Sequence, residues 1–239
     1  MKKRKVCVLL ILIVVFVLAV GWMRTDPEVR CTSGKAIAEN IAGQGMLGLV
    51  EQSVEHPKAA LTFDDGPDAR YTSVLLDGLR ARNIKVSFFL LGEKVEQNPD
   101  LVRRMQEEGH LVGNHTYHHV QLDKLSDAKA REEILKTNNL IYETTGRYPQ
   151  YMRPPFGAWK KNLELRVEMM PVFWTIDTLD WKVQNTEQII KTVEEKIKDG
   201  SIILMHDEYK TTVEAALRLA DSLKEKGYEL VKVDELIMP

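Results

Sequence analysis

The segment Leu61–Thr72, LTFDDGPDARYT, places two adjacent carboxylates, Asp64 and Asp65, at the end of an apolar run. Neighbouring side chains of a β-strand point to opposite faces, so both aspartates can approach one site only if the strand breaks there. Gly66-Pro67 follows at once and predicts such a break. Two carboxylates this close resist joint ionisation unless a cation is near, whereas a helix cap or a solvated loop pair needs no cation.

From Lys58 onward, short apolar runs alternate with amphipathic segments, which predicts strands alternating with helices. The predicted strands are Ala59–Phe63, Val86–Leu91, Leu111–Gly113, Tyr151–Arg153, Val172–Ile176, Ile202–Met205 and Glu229–Val233. Helix signals run from Asn98-Pro99 to Gly109, Ser126 to Gly146, Thr186 to Gly200 and Thr212 to Lys226. The pattern predicts the α/β class with a parallel sheet. About seven such units in roughly 180 residues favour a small or incomplete (β/α)7 barrel over a doubly wound sheet. The absence of a glycine-rich phosphate loop after the first strand weakens the nucleotide-binding version of the doubly wound sheet.

The N-terminus predicts an exported protein. Lys2-Lys3-Arg4-Lys5 precedes eighteen uncharged residues, Val6–Met23, which can just span a bilayer with the basic end in the cytoplasm. Trp22 and Arg24 resemble interfacial anchors, and this favours an uncleaved transmembrane helix over a signal peptide cleaved near Ala19-Val20-Gly21. We expect a tip and anchor at 1–23, a stem at 24–57 and an extracytoplasmic domain at 58–239, or a secreted domain if the N-terminus is cleaved.

Charge and cysteine content exclude several classes. Once the five Lys/Arg of residues 1–24 are set aside, the rest holds 28 basic and 35 acidic residues, a net charge of −7. Such an acidic domain argues against a nucleic-acid partner, because phosphate binding needs a basic face. Cys7 and Cys31 form no Cys-x-x-Cys pair, which excludes a thiolate zinc site, and an intrachain disulfide is not expected between them. The sequence does not indicate an oligomeric state.

Three histidines follow the third predicted strand in GNHTYHHV: His115, His118 and His119. A single histidine is usually packed or exposed without function, but three in five residues indicate a shared role. One helical turn would bring His115 and His119 to the same side, and His118 would align with His115 nearly as well. Two imidazoles and one carboxylate are a ligand set that suits zinc or a similar divalent ion. The spacing alone leaves His118 and His119 as alternatives.

Polar residues also follow the fourth, fifth and sixth predicted strands, at the end of the strands where the chemistry of such barrels gathers. MRPPFG places Arg153 after the fourth strand, although a structural turn with a surface arginine would look the same. WTIDTLDW, residues 174–181, sets Asp177 and Asp180 between two tryptophans, an arrangement that suits sugar stacking or core packing. The sixth strand leads into His206, a candidate general acid or base or merely a loop residue. Accumulation at one end of successive strands predicts a common site.

Together, five motifs resemble those of polysaccharide deacetylases of the NodB-homology type, carbohydrate esterase family 4. The motifs TFDDGP, HTYHH, RPPFG, DTLDW and LMHD occur in the order found in that family, and the resemblance covers about residues 56–239. It implies a distorted barrel of about seven strands that hydrolyses N-acetyl groups of polymers containing N-acetylglucosamine (GlcNAc).

The resemblance also implies a metal set. Carried over by position, Asp65, His115 and His119 would hold a divalent ion, which leaves His118 outside the coordination sphere. Zinc is the expected metal, with cobalt, manganese, nickel or iron as alternatives.

The acid and base roles are likewise carried over by position. Asp64 would be the general base, adjusted by Arg153, and His206 would be the general acid, oriented by Asp180. These roles would place two proton-transfer groups on either side of the scissile amide.

Substrate contacts follow from the same motifs. Trp181 and Leu204 would line a slot for the acetyl methyl group, and the backbone N–H near Phe156 would help to stabilise the oxyanion. Phe156 stands where the family frequently has tyrosine, a mild variation.

The predicted function is hydrolysis of N-acetyl groups of cell-wall peptidoglycan, since the predicted anchor directs the domain outward. Alternatives on the same scaffold are a deacetylase of chitin oligomers or of another exported poly-GlcNAc, and an acetyl-xylan esterase. Two alternatives from other classes are an inactive metal-bearing carbohydrate-binding module and a helix-anchored interaction protein. The inactive module would lack the acid or the base, and the chain carries both Asp64 and His206.

Overall fold

The computed structural model describes residues 56–159 and 167–237, in which parallel strands alternate with helices. The strands are β1 (Lys58–Asp64), β2 (Ser87–Leu90), β3 (Leu111–Asn114), β4 (Tyr151–Met152), β5 (Met170–Pro171), β6 (Ile176–Asp177), β7 (Ser201–His206) and β8 (Glu229–Leu230). The helices are α1 (Thr72–Ala81), α2 (Gly92–Gln97), α3 (Pro99–Glu107), α4 (Asp127–Thr145), α5 (Asp180–Val183), α6 (Thr186–Glu194), α7 (Lys210–Glu225) and α8 (Val233–Ile237). Single 3-10 turns occupy Leu122–Lys124 and Pro155–Gly157.

One parallel sheet contains all eight described strands, in the order β5-β4-β3-β2-β1-β7-β6. The short strand β8 pairs with the beginning of β1, while β2 pairs with its carboxyl end. The predicted α/β class and parallel pairing are confirmed. Among the described residues no ladder joins the edge strands β5 and β6, so the sheet is an incomplete barrel.

The segment that joins β5 to β6 explains why the sheet curls. The Val172 N–H donates to the Met152 carbonyl at 2.8 Å, and three residues later the Thr175 N–H donates to the Ile202 carbonyl at 2.9 Å. The chain therefore passes from one edge of the sheet to the other within a few residues. Because an extended residue spans at most about 3.3–3.6 Å, the two edges must lie close together. The prediction of one strand over Val172–Ile176 is wrong, since this run bridges two edges.

The central strand β1 is buried on both faces, with alternate residues serving each face. Three of its residues belong to the large core between the sheet and the helices: Ala59, Leu61 and Phe63. Ala60 instead joins Phe89 in a second apolar cluster on the inner face. That inner row continues through Thr62 to Asp64, both buried polar residues. The row becomes polar toward the carboxyl end of β1, where the site forms.

Several predicted element boundaries differ from the structure. Helix α4 begins after Ser126, whose Oγ accepts the Lys129 N–H, and ends before Gly146 at φ 74°, as predicted. Helix α6 ends at Glu194 rather than near Gly200. Near Gly200, Oδ1 of Asp199 accepts the Lys58 N–H at 2.7 Å. Contacts with β1 therefore take the place of the last predicted helical turns. Helices α1, α2, α5 and α8 were not predicted.

The predicted N-terminal anchor and stem lie outside the described residues, so the structure does not test them. In the part of the chain that the structure describes, no helix combines the length and the apolar character needed to cross a membrane. The boundary predicted at residue 58 coincides with the first residue of β1.

We predict that Gly113→Ala destabilises the fold. A Cβ at this position in β3 would lie 2.6 Å from the Phe89 ring and 3.0 Å from the Tyr151 carbonyl oxygen. Overpacking of this kind typically costs about 1–3 kcal/mol. Urea denaturation should show that loss in the free energy of unfolding, with the exposed Lys129→Ala as the control. An unchanged midpoint for Gly113→Ala would contradict the predicted clash.

Candidate active site

The carboxyl ends of the strands surround a cavity of about 500 Å³. Its lining combines carboxylates, imidazoles and aromatic rings: Asp64, Asp65, His115, His119, Pro154, Phe156, Trp174, Asp177, Trp181, Leu204, His206 and Tyr209. The sheet register explains the convergence. Asp64 lies opposite His206 across the β1–β7 ladder, and His115 and Arg153 are the residues that directly follow β3 and β4.

The two adjacent aspartates reach one cavity because the backbone turns at the second of them. Asp64 is the last residue of β1, and Asp65 has a left-handed backbone at φ 66°. Aspartate tolerates this conformation better than most residues. The strand therefore breaks at Asp65 itself, one residue before the Gly66-Pro67 break that the sequence predicts. The Asp64 and Asp65 carboxylates lie 3.8 and 3.3 Å from Nε2 of His115.

His115 is held in one tautomer by the backbone. Its Nδ1 lies 2.6 Å from the Arg153 carbonyl oxygen, which can only accept a hydrogen bond. Nδ1 therefore carries a proton, and Nε2 is the ring nitrogen that faces Asp65. A hydrogen bond from the second ring nitrogen to a carbonyl is the usual way in which proteins orient a metal-binding imidazole.

The structure separates the two histidines that the spacing leaves as alternatives. Nε2 of His119 lies 3.5 Å from Oδ1 of Asp65, and its ring centroid is 5.1 Å from that of His115. Nδ1 of His118 instead lies 2.8 Å from Oε1 of Glu133, and the His118 side chain is 55% exposed. The donor atoms of Asp65, His115 and His119 all lie within 4.8 Å of one another.

The Asp65–His115–His119 group fits a divalent cation. Oδ1 of Asp65 is buried without a hydrogen-bond partner. Burying an unsatisfied oxygen lowers the stability of the fold unless a positive group, such as a bound cation, interacts with it. Burial lowers the pKa of His119, which favours the neutral imidazole that a metal ligand requires. Burial raises the pKa of Asp65, but contact with His115 and the positive charges that His115, His119 and His206 carry when protonated outweigh burial and hold that pKa well below its usual range. One carboxylate and two imidazoles suit zinc and leave positions open for water.

Arg153 lies beneath the cavity and is fully buried. Its Nη1 donates to Oδ1 of Asp64 at 2.7 Å and to Oγ1 of Thr62 at 2.8 Å. The guanidinium also stacks over the Phe89 ring, 4.4 Å from its centroid. Burial lowers the pKa of Arg153 and the Asp64 carboxylate opposes this effect. The surface-arginine alternative is therefore wrong for this residue.

His206 and Asp180 form a second oriented pair. Nδ1 of His206 lies 2.8 Å from Oδ1 of Asp180, and the His206 N–H donates to Oδ2 at 2.7 Å. The Thr212 hydroxyl donates to the same Oδ2 at 2.9 Å. Asp180 is fully buried, and these hydrogen bonds satisfy both of its carboxylate oxygens. Burial lowers the pKa of His206, but the bond to Asp180 and the charges of Asp64 and Asp65 raise it to about 9. The imidazolium therefore faces the cavity at neutral pH.

The predicted substrate-contact residues line one side of the cavity. Leu204 is buried in β7, whereas Trp181 is half exposed at the start of α5. Phe156 has a left-handed backbone at φ 59° and packs its exposed ring against the edge of His119. The hydrogen bonds of its turn come from the Gly157 and Ala158 N–H groups, and the Phe156 N–H has no acceptor among the described residues.

Two further aspartates of the motifs, Asp177 and Asp207, differ in whether they line the cavity. Asp177 lines the cavity and accepts the Leu179 N–H at 2.9 Å. Asp207, next to His206, is fully buried, accepts a hydrogen bond from the Thr72 hydroxyl and is not among the cavity-lining residues. Burial raises the pKa of Asp207 to about 7.

Sequence reasoning did not identify Tyr209 as a cavity residue. Its position three residues beyond His206, in the loop that follows β7, is the signal that could have indicated it. Thr62, which bonds Arg153, was also missed, because a threonine inside an apolar strand reads as ordinary packing.

The chain is similar in sequence to a known protein family and to characterised bacterial proteins. The sequence profile of the family described as polysaccharide deacetylase matches residues 51–172. The peptidoglycan-N-acetylglucosamine deacetylase PgdA of Listeria monocytogenes is 43% identical over 187 residues. That alignment covers 78% of this chain but 40% of the Listeria protein, so the chain spans less than half of that relative's length.

Two solved structures share the fold. Peptidoglycan deacetylase PdaC from Bacillus subtilis has a TM-score of 0.74 and 37% identity, covering 77% of this chain and 91% of that chain. A carbohydrate esterase family 4 pseudoenzyme from Bacillus anthracis has a TM-score of 0.72 and 30% identity, covering 77% and 66%. Because a pseudoenzyme also has this fold, an activity has to be argued from the residues at the site.

We predict that His119→Ala removes metal binding and that His118→Ala does not. The first substitution deletes a donor atom of the Asp65–His115–His119 group, whereas His118 contacts Glu133 instead. Zinc content after dialysis of each full-length variant, measured by mass spectrometry, provides the test. Equal zinc retention by the two variants would contradict this choice of ligand.

We predict that His206 titrates near pH 9 in the metal-free chain and at least one unit lower in Asp180→Asn. The Asp180 carboxylate stabilises the His206 imidazolium and so raises its pKa. Replacing that carboxylate by a neutral amide removes the strongest interaction that favours the protonated ring. NMR titration of the His206 ring would measure both values, with wild type as the reference. A pKa unmoved by Asp180→Asn would show that other charges dominate.

Proposed function

The chain belongs to the polysaccharide deacetylase family, and from this premise we propose that it hydrolyses N-acetyl groups of cell-wall peptidoglycan and releases acetate. The observation that carries the proposal is the convergence of Asp64, the Asp65–His115–His119 group and His206 on one cavity. Both an acid and a base candidate are present beside the cation position, which supports an enzyme rather than an inactive binding module.

Asp65, His115 and His119 would hold a divalent metal, zinc being the best fit to this donor set. When bound, such an ion polarises a carbonyl oxygen and can lower the pKa of water from 15.7 to about 7. His115 is prepared for this role because its Nδ1–H is already bonded to the Arg153 carbonyl.

Asp64 acts as the general base. Oδ1 of Asp64 is occupied by the Arg153 guanidinium, so Oδ2 is the oxygen left to accept a proton from the attacking water. That oxygen lies 3.8 Å from Nε2 of His115, beside the proposed metal position. Arg153 compensates the Asp64 charge where solvent cannot, and it holds the carboxylate in one orientation.

His206 acts as the general acid. Asp180 fixes its Nδ1–H and stabilises the imidazolium, so Nε2 carries the proton that the departing amine needs. Nε2 of His206 lies 3.9 Å from Oδ2 of Asp65. The amide nitrogen of the substrate would lie at this edge of the cavity, within reach of Nε2. Water supplies the hydroxyl to the acetyl carbon, the carbon–nitrogen bond breaks, and acetate and the free amine leave.

The remaining cavity residues orient the acetamide. The Phe156 N–H is available to the developing oxyanion, and one such donor is worth about 3–4 kcal/mol in comparable sites. Leu204 and Trp181 form an apolar wall for the acetyl methyl group, and this wall disfavours larger acyl groups.

The catalytic domain acts outside the cytoplasm. The basic cluster and apolar run at the N-terminus support a single membrane anchor, and residues 24–57 would give the domain reach into the wall. The net charge of −7 after residue 24 supports a glycan rather than a nucleic-acid substrate. The relatives described as peptidoglycan deacetylases support the wall polymer over chitin or xylan.

We expect the full-length chain to release acetate from peptidoglycan and Asp64→Asn to lose at least a hundredfold of that rate while retaining zinc. General-base catalysis typically contributes 10²–10⁴-fold, and Asp64 is outside the donor group for the ion. Acetate assays with peptidoglycan, chitin oligomers and acetylated xylan in parallel would measure both activity and preference.

Each outcome discriminates between readings. Near wild-type activity in Asp64→Asn would show that another group is the base. Faster acetate release from chitin oligomers or xylan would replace the wall polymer as substrate. Zinc binding without acetate release from any of the three polymers would identify a binding module instead of an enzyme.

A further inference from the structure

The loop between the two histidines of the proposed metal site has a strained backbone. Thr116 and His119 adopt left-handed conformations at φ 69° and 54°. For residues other than glycine, such conformations cost about 1–3 kcal/mol each and persist only where their surroundings hold them. Thr116 is β-branched, which makes its conformation especially unfavourable. Specific contacts must therefore hold this loop in place.

One end of the loop is held by β3. Oδ1 of Asn114 accepts the Thr116 N–H at 2.7 Å. Nδ2 of Asn114 in turn donates to the Ile134 carbonyl at 2.9 Å and to Oδ1 of Asn138 at 2.7 Å, both on α4. Helix α4 thus supports the strand end that delivers His115.

The two amides nearer His119 are bonded to one carboxylate on the same helix, while the Tyr117 carbonyl accepts the Glu93 N–H at 3.3 Å. Oε2 of Glu133 accepts the N–H groups of Tyr117 at 3.1 Å and His118 at 2.9 Å. Oε1 of Glu133 lies 2.8 Å from Nδ1 of His118. The Glu133 side chain is 16% exposed, so these bonds are largely shielded from solvent. Charge-assisted bonds of this kind are roughly twice as strong as neutral ones.

We propose that Glu133 is a positioning residue for the metal centre. Within the part of the chain that the structure describes, Glu133 bonds neither His115 nor His119. It fixes the backbone amides of the two residues before His119, and in this way it sets the 5.1 Å separation of the His115 and His119 rings. The inference rests on the proposed function, because it assumes that these two imidazoles bind a divalent ion. It also gives His118 a role: its imidazole occupies the second oxygen of Glu133 and leaves the ion untouched.

Geometry and charge make different predictions for an isosteric change. In Glu133→Gln the amide oxygen can still accept both backbone N–H groups, while the negative charge is lost. In Glu133→Asp the charge remains, but the side chain is one methylene too short to reach the loop in the same way. If Glu133 acts through hydrogen bonds, Gln should preserve metal affinity better than Asp or Ala. If it acts through charge, Asp should preserve it better than Gln.

The test is zinc affinity of the full-length chain, measured by competition with a chromophoric chelator. Glu133→Ala should weaken zinc binding at least tenfold, as losses of residues that support metal ligands usually do, and Glu133→Gln should stay within about threefold of wild type. Glu132→Ala is the matched control, because Glu132 is an exposed acid on the same helix. Melting temperatures in excess chelator would separate a local effect from loss of the fold: Glu133→Ala should melt below Glu132→Ala, because it loses shielded hydrogen bonds, but should still unfold in one cooperative transition above the assay temperature.

The outcomes separate this inference from the one beneath it. A wild-type chain that binds no zinc would overturn the metal site and with it this role for Glu133. Zinc binding by wild type that Glu133→Ala leaves unchanged would overturn the role alone. An equal loss in the Gln and Ala variants would refute the hydrogen-bond account. Should Glu133→Ala fail to fold, Glu133→Asp carries the test, with weakened zinc binding expected and wild-type affinity contradicting the proposal.

Discussion

The contact between Arg153 and Asp64 constrains the rest of the site. A fully buried guanidinium requires a compensating charge, and Nη1 of Arg153 finds it in Asp64 at 2.7 Å. Removing one partner of such a buried pair typically costs about 3–5 kcal/mol, because the other charge is left uncompensated. The pair also joins β1 to the end of β4, three strands away in the sheet. This single interaction therefore fixes both the inner face of the fold and the orientation of the carboxylate at its rim.

The backbone of Arg153 contributes as much as its side chain. Its carbonyl holds the Nδ1–H of His115, and its N–H donates to the Asn114 carbonyl at 2.9 Å. Asn114 is also the residue from which helix α4 supports the loop toward His119. Arg153, Asn114 and Glu133 thus form a frame around the donor atoms. Such a frame would preorganise the ligands of the proposed metal centre, which would then need little rearrangement on binding.

Fold and chemistry are separable in this family, as the pseudoenzyme with the same architecture illustrates. In the present chain the strand ends hold two titratable groups in opposed electrostatic surroundings. Asp64 lies against a buried cation, and His206 lies against the buried Asp180 carboxylate, which raises its pKa. Placing groups with opposed electrostatic surroundings on two sides of one cavity is how a protein obtains an acid and a base at the same pH.

The sequence by itself determined the α/β class, the approximate strands and the set of polar residues at their carboxyl ends, because apolar periodicity and motif order are local properties. Spacing alone could not choose between His118 and His119, since helical spacing serves both, and only the family resemblance of the HTYHH motif implied His119. The tertiary structure supplies the physical reason, because His118 binds Glu133, fourteen residues beyond His119. The Val172–Ile176 run failed as a strand because its hydrogen bonds go to strands from two distant parts of the chain. The burial of Arg153 likewise came only from tertiary structure, because solvent exclusion depends on what packs around a residue and not on its neighbours in sequence.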